Sequence, residues 1–170
     1  MRKWVVIVST LVLLVAVNLG IASRERLVEH GRIVLLELAP VDPRSLMQGD
    51  YMALRFGVTD GVQAGREAVQ WADGRMVLGV DSRNVGTFRR LDAGAPPADD
   101  ELLLRYRIRD GLPKLATNAY FFEEGTGDRY VEARYGEFRV APDGEAILTG
   151  LRDGALAPLG PRSLQAPRFP

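Results

Sequence analysis

Nineteen consecutive residues, Trp4 to Ala22 (WVVIVSTLVLLVAVNLGIA), carry no charge, and nothing later in the chain resembles them. A helix of about 20 apolar residues spans the roughly 30 Å hydrocarbon core of a bilayer. It also satisfies its own backbone hydrogen bonds where lipid offers none. The segment therefore points to one membrane-crossing helix followed by a folded domain. Two fates compete for it. Arg2 and Lys3 form a basic n-region, and Gly20-Ile21-Ala22 before Ser23 offers a small-x-small cleavage site, as in an excised secretory signal. The apolar run is long for such a signal, and the helical pattern continues through Ser23 to His30 until Gly31 stops it. We read it as an uncleaved signal-anchor. Arg2 and Lys3 before the span nearly balance Arg24 and Arg26 after it. Orientation then rests on the usual arrangement of a short N-terminal anchor with an exported domain, which places the C-terminal domain on the periplasmic side of the inner membrane.

The expected organisation is a cytoplasmic stretch over 1–3, a span over 4–22, a juxtamembrane helix extension over 23–31 and a globular domain over 32–153. Residues 154–170 contain four prolines and little periodicity, and read as an extended or disordered tail. Acidic and basic residues balance at 22 each, which argues against a nucleic-acid partner held by bulk charge. With no cysteine, disulfides, thiolate catalysis and cysteine-based metal sites are excluded together. One histidine, His30, excludes a multi-histidine metal centre or a Ser-His-Asp triad in the domain. No cofactor or metal is expected.

The domain reads as α+β, mainly antiparallel strands with one or two short helices. Ile33 to Leu38 is a short apolar run bounded by Gly31 and Pro40, as in a well-buried strand. Between Gly49 and Val58, Met52, Leu54 and Phe56 alternate with Tyr51, Ala53 and Arg55, giving one greasy face. Hairpins are expected for 76–81 with 85–91 and for 138–140 with 146–151. The clearest strand has Leu102, Leu104, Tyr106 and Ile108 alternating with Leu103, Arg105, Arg107 and Arg109, and turns at Asp110-Gly111. Residues 116–122 read as a further strand. Short helices are expected over 67–72, approached flexibly through Gly57, Gly61 and Gly65, and within 127–135.

Two blocks carry a resemblance. Val41 to Phe56 (VDPRSLMQGDYMALRF) contains Gly49, Asp50, Tyr51 and Leu54 at the spacing that names the GDYXXLXY family, with Phe56 in place of the final tyrosine. Phe121-Phe122-Glu123-Glu124-Gly125-Thr126-Gly127, followed by Phe138-Arg139-Val140, is similar to that family's ending. The resemblance implies a small membrane-anchored bacterial domain. It supplies no activity, though such proteins accompany multi-pass membrane proteins, which implies a partner of that kind.

Physically, the signature has a plain reading and a sharper one. In the plain one, Gly49 shapes a turn, Asp50 accepts backbone hydrogen bonds, Leu54 and Phe56 are core, and Tyr51 faces out. In the sharper one, Asp50 and Tyr51 rim a binding or hydrolytic site, with an arginine of the 105, 107, 109 face or Arg55 as ion-pair partner. That arginine face can also hold an anionic lipid headgroup or another acidic partner; its plain reading is a solvated strand face. A Ser45–Lys114 catalytic pair is conceivable on paper, but nothing local places the amine beside the hydroxyl. We therefore expect an accessory or interaction domain more than an enzyme.

Overall fold

The structure, a computed structural model, describes residues 2–39, 47–48, 51–65, 72–117 and 119–160. Gly49, Asp50, Ser45, Trp71 and all but the last residue of the helix expected over 67–72 lie outside the described residues.

α1 (Arg2–His30) is one continuous helix. It is long and apolar enough to cross a membrane, and the domain covers none of its apolar window. Its last turn behaves differently, for Leu27 is only 7% exposed. Gly31 N–H caps the Leu27 carbonyl at 2.9 Å. The Arg139 guanidinium donates to Gly31 O at 3.1 Å, and Arg24 pairs with Glu145 at 3.1 Å. The helix thus runs unbroken from its apolar stretch onto the surface of the domain.

The domain is built on an eight-stranded sheet. Its strands are β1 (Arg32–Glu37), β4 (Gly74–Val80), β5 (Val85–Leu91), β6 (Glu101–Arg109), β7 (Leu112–Lys114), β9 (Tyr135–Val140), β10 (Ala146–Arg152) and β11 (Pro158–Leu159). Their order is β11-β10-β9-β1-β5-β4-β6-β7, and the only parallel pair among them is β1 with β5. A small antiparallel sheet holds β2 (Met47–Gln48), β3 (Tyr51–Ala53) and β8 (Ala119–Phe121) in the order β2-β3-β8. The large sheet curls on itself. Arg105 N–H reaches the Gly144 carbonyl in the β9–β10 turn at 2.8 Å, although β6 and that hairpin are far apart in strand order.

Inside the curl, Val34, Leu36, Met76, Leu78, Leu104 and Phe138 are fully buried. Met52, Leu54 and Phe56 close the core from the signature segment, each large side chain contributing about 1.5–3 kcal/mol by leaving water. The hairpins, the 101–109 strand and its turn stand as the sequence pattern predicts. Asp110 and Gly111 take φ of 55° and 69°, the geometry a two-residue Asp-Gly hairpin demands.

Three local expectations are corrected. The glycine-punctuated stretch is itself a helix, α2 (Val58–Ala64), flanked by Gly57 and Gly65. Gly61 sits inside it because a Cβ there would lie 2.2 Å from the Phe88 ring, so glycine lets α2 press onto β5. The helix expected within 127–135 shrinks to a single 3-10 turn, Gly127–Tyr130. The chain must extend again by Arg134, whose carbonyl takes Leu38 N–H and whose own N–H goes to Arg152 O, both at 2.8 Å. Finally, Pro158 and Leu159 pair with Arg152 and Leu151, so the sheet reaches into the stretch read as tail.

Candidate functional site

The signature segment divides by face. Met52, Leu54 and Phe56 point inward, at 3%, 7% and 1% exposure. Phe56 meets Phe138 edge to face with centroids 5.1 Å apart, so this position uses the ring and has no need of a tyrosine hydroxyl. Backbone bonds from Ala39 N–H to Arg55 O (2.8 Å) and from Gly57 N–H to Glu37 O (3.0 Å) tie the segment to the end of β1. Outward, Tyr51 lies opposite Phe121 of β8, with ring centroids 5.8 Å apart. Phe121 is 74% exposed. Arg55 spends its charge on Asp60 at 2.8 Å.

The second block explains its own composition. Phe121 faces out while Phe122 stacks on Tyr130 at 5.3 Å, and Tyr130 meets Tyr120 edge to face at 5.2 Å. Burial, then the hydrogen bond with Tyr120, push the Tyr130 phenol up to about 12. Thr126 Oγ1 donates to Glu123 O at 2.7 Å and holds the turn that leads into the 3-10 segment.

A groove of about 260 Å³ runs between Leu54, Arg55 and Phe56 on one side and Leu112 to Leu115 on the other, with Thr59 and Gln63 of α2 at its margin. It adjoins a mainly cationic pocket of about 150 Å³ that holds Arg24, Arg105, Arg107 and Lys114, with Glu145, the partner of Arg24, as its one carboxylate among the described residues. Lys114 and Leu115 line both. The structure thus brings Leu54 and Phe56 into neighbourhood with Arg105 and Arg107 through β7, a link that no linear spacing encodes.

The arginine face is wider than the three residues read from the sequence. Arg75 of β4 stands directly opposite Arg105, and Lys114 of β7 directly opposite Arg107. Arg75 pairs with Asp92 at 2.9 Å, Arg105 with Asp143 at 3.0 Å, Arg109 with Asp73 at 3.4 Å and Lys114 with Asp110 at 2.8 Å. Among the described residues Arg107 has no such carboxylate.

The site that sequence reasoning missed is Glu101. It lies on the same face of β6 and is 8% exposed. Both nitrogens of the Arg90 fork bond its carboxylate, Arg89 reaches it at 3.3 Å, and Ala98 N–H at 3.1 Å. The Arg90 guanidinium and the Ala98 amide, followed by Arg89, hold its pKa at about 2. Adjacent residues of a strand normally face opposite ways. Here the register slips between Val77/Arg90 and Leu78/Phe88, leaving Arg89 as the extra residue of a bulge that lets both arginines converge. Gly79 is the other half of the device, since a Cβ there would fall 2.3 Å from Arg89 Nε. The only hints in the sequence are the Arg89-Arg90 doublet and that glycine.

Among the described residues no three carboxylate or histidine groups converge as a metal site would require. The chain matches the GDYXXLXY protein family over residues 13–151, from the middle of α1 to the end of β10. It belongs to that family. No curated protein and no solved structure matches it. The GDYXXLXY match embraces the second half of the apolar helix, its docked last turn and the strands from β1 to β10, so the helix end and the domain fall within one family match.

Proposed function

We infer that this is a membrane-anchored, extracytoplasmic accessory domain, non-enzymatic, that presents a fixed face to a multi-pass membrane protein. The observation that carries the reading is the docked end of α1. Leu27 is buried and Arg24 and Arg139 tie the helix end to the β9–β10 surface. A loosely tethered domain samples every orientation above the bilayer. One packed onto its own anchor keeps the same surface facing the lipid and the same surface facing sideways, as an accessory subunit of a membrane assembly requires. The Tyr51–Phe121 pair is the natural contact, because exposed aromatic rings are favoured at interface centres.

A photo-cross-linking residue at Phe121, in otherwise intact membranes, tests this. The expected product joins the chain to an integral membrane protein and is lost or diminished in Asp50→Ala or Tyr51→Ala. Products limited to soluble proteins sink the reading. A reporter fused after Pro170 that is active only in the cytoplasm sinks the orientation alone.

A second reading, a ligand-binding or hydrolytic site around the signature and the arginine face, draws on the groove beneath Leu54 and Phe56. Its volume is close to the lower end of small-molecule pockets. A small molecule that stabilises the wild type and not a Gln63→Trp variant would favour it over the accessory reading.

A further inference from the structure

We propose that the pocket where Arg24, Arg105, Arg107 and Lys114 outnumber the single carboxylate of Glu145 holds an anionic phospholipid headgroup of the membrane that α1 crosses. The proposal rests on the reading of α1 as a membrane span and adds a ligand to the arginine face.

The sheet register carries the first part of the argument. Like charges directly opposite one another across a strand pair are destabilising. This sheet nevertheless sets Arg75 against Arg105 and Lys114 against Arg107, side by side on one face. Partial relief comes from Asp92, whose sheltered carboxylate holds Arg75, from Glu145, which takes Arg24 within the pocket, and from Asp143 and Asp110, whose pairs with Arg105 and Lys114 are more exposed and individually weak. Arg107 is the surplus charge. A placement that works against stability and is only partly neutralised by the protein is completed by an anion from outside, and phosphate oxygens suit the guanidinium fork.

Position identifies the anion. Arg24 lines this pocket and belongs to α1, two residues past Ala22, where the charge-free run ends. At about 1.5 Å of rise per residue, its backbone lies roughly 3 Å beyond the hydrocarbon-crossing segment. That is the depth of lipid phosphates, to which long basic side chains extend. Because α1 is docked rather than loose, Arg105, Arg107 and Lys114 share that depth. An acidic peptide or a soluble phosphate has no comparable reason to be found there.

The test is native mass spectrometry of the full chain released from mixed micelles of equal phosphatidylglycerol and phosphatidylcholine. Wild type is expected to retain phosphatidylglycerol preferentially. Each basic residue near an anionic surface is worth about fivefold in binding, so Arg105→Gln with Arg107→Gln should lower that preference about 25-fold. Arg105→Lys with Arg107→Lys should keep most of it, and Asp143→Asn, which frees Arg105 from its competitor, should raise it. A merely structural role for Asp143 predicts no such gain. Equal retention of the two lipids by wild type overturns the proposal. So does an equal loss in Arg83→Gln, whose arginine sits in the β4–β5 turn, or binding of inorganic phosphate in zwitterionic micelles as tight as that of the lipid. Alkaline carbonate extraction separates the layers. A chain released from membranes by carbonate defeats the membrane reading itself, whereas one that stays inserted without lipid preference defeats only the headgroup site.

Discussion

The outward face of β6 carries two arginine-rich regions with opposite designs. At its start, Glu101 gathers Arg89 and Arg90 into a carboxylate-centred cluster, while Asp100 takes the second arm of Arg89 at 2.7 Å. At its end, Arg105, Arg107 and Arg109 stand beside Arg75 and Lys114, cation opposite cation. The first region departs from regular strand geometry, with a bulge and a glycine, so that the charges can meet. The second keeps regular geometry and leaves the charges facing one another. Where a fold distorts itself to neutralise charge, the charge serves the fold; where it leaves like charges aligned, the charge is available to something else.

Glu101→Gln should break the first region and produce the largest effect on stability of the substitutions considered. It leaves two arginines without their shared partner next to a side chain excluded from water, and a fall in Tm of several degrees is expected. The pH dependence has a definite sign. The Glu101 carboxyl is lowered from 4.5 to about 2 in the folded chain. Its stabilisation is therefore present above the unfolded value and is lost as pH falls through the folded one. Thermal melts between about pH 4.5 and 2 should show a steep acid limb in wild type and a flatter one in Glu101→Gln. An unchanged limb would mean that Glu101 is not the anchor of the cluster.

Gly79→Ala should act through the same cluster and more weakly. The added methyl displaces Arg89 yet leaves the Arg90 fork on Glu101 in place. A double-mutant cycle checks the route. If the clash is the cause, Arg89→Ala added to Gly79→Ala has little further effect, whereas additive losses would place the strain elsewhere.

How much of these regions could be read in advance depended on whether the signal was periodic. The alternation of Leu102, Leu104 and Tyr106 with Arg105, Arg107 and Arg109 specifies one strand and both of its faces, and Asp110-Gly111 specifies the turn that follows. The burial of Leu54 and Phe56 follows from the same period-2 rule. None of this identifies neighbours across the sheet. That Arg75 faces Arg105, or that Arg24 of α1 reaches the arginine face, depends on a register and a curl fixed by long-range pairing. The bulge at Arg89 was illegible because one extra residue has no local signature beyond the doublet itself. Gly57, Gly61 and Gly65 misled for a related reason: read locally they loosen the chain, whereas in the fold Gly61 permits a close approach of α2 to the Phe88 ring.

The smallest effect sharpens the comparison most. Arg107→Gln removes an exposed side chain that faces Lys114 and has no carboxylate of its own among the described residues. An ordinary surface substitution stays within about 0.5 kcal/mol of wild type. Here relief of the like-charge pair should move Tm slightly upward at low ionic strength, and the gain should fade in high salt as screening shortens the reach of Lys114. Arg90→Gln, at the other end of the same face, should do the reverse and destabilise at every salt concentration, since Glu101 is sheltered from solvent ions. Melts of the two variants across a salt series decide the matter. If Arg107→Gln destabilises as Arg90→Gln does, both regions serve the fold, and the claim that the second holds charge in reserve for a ligand fails.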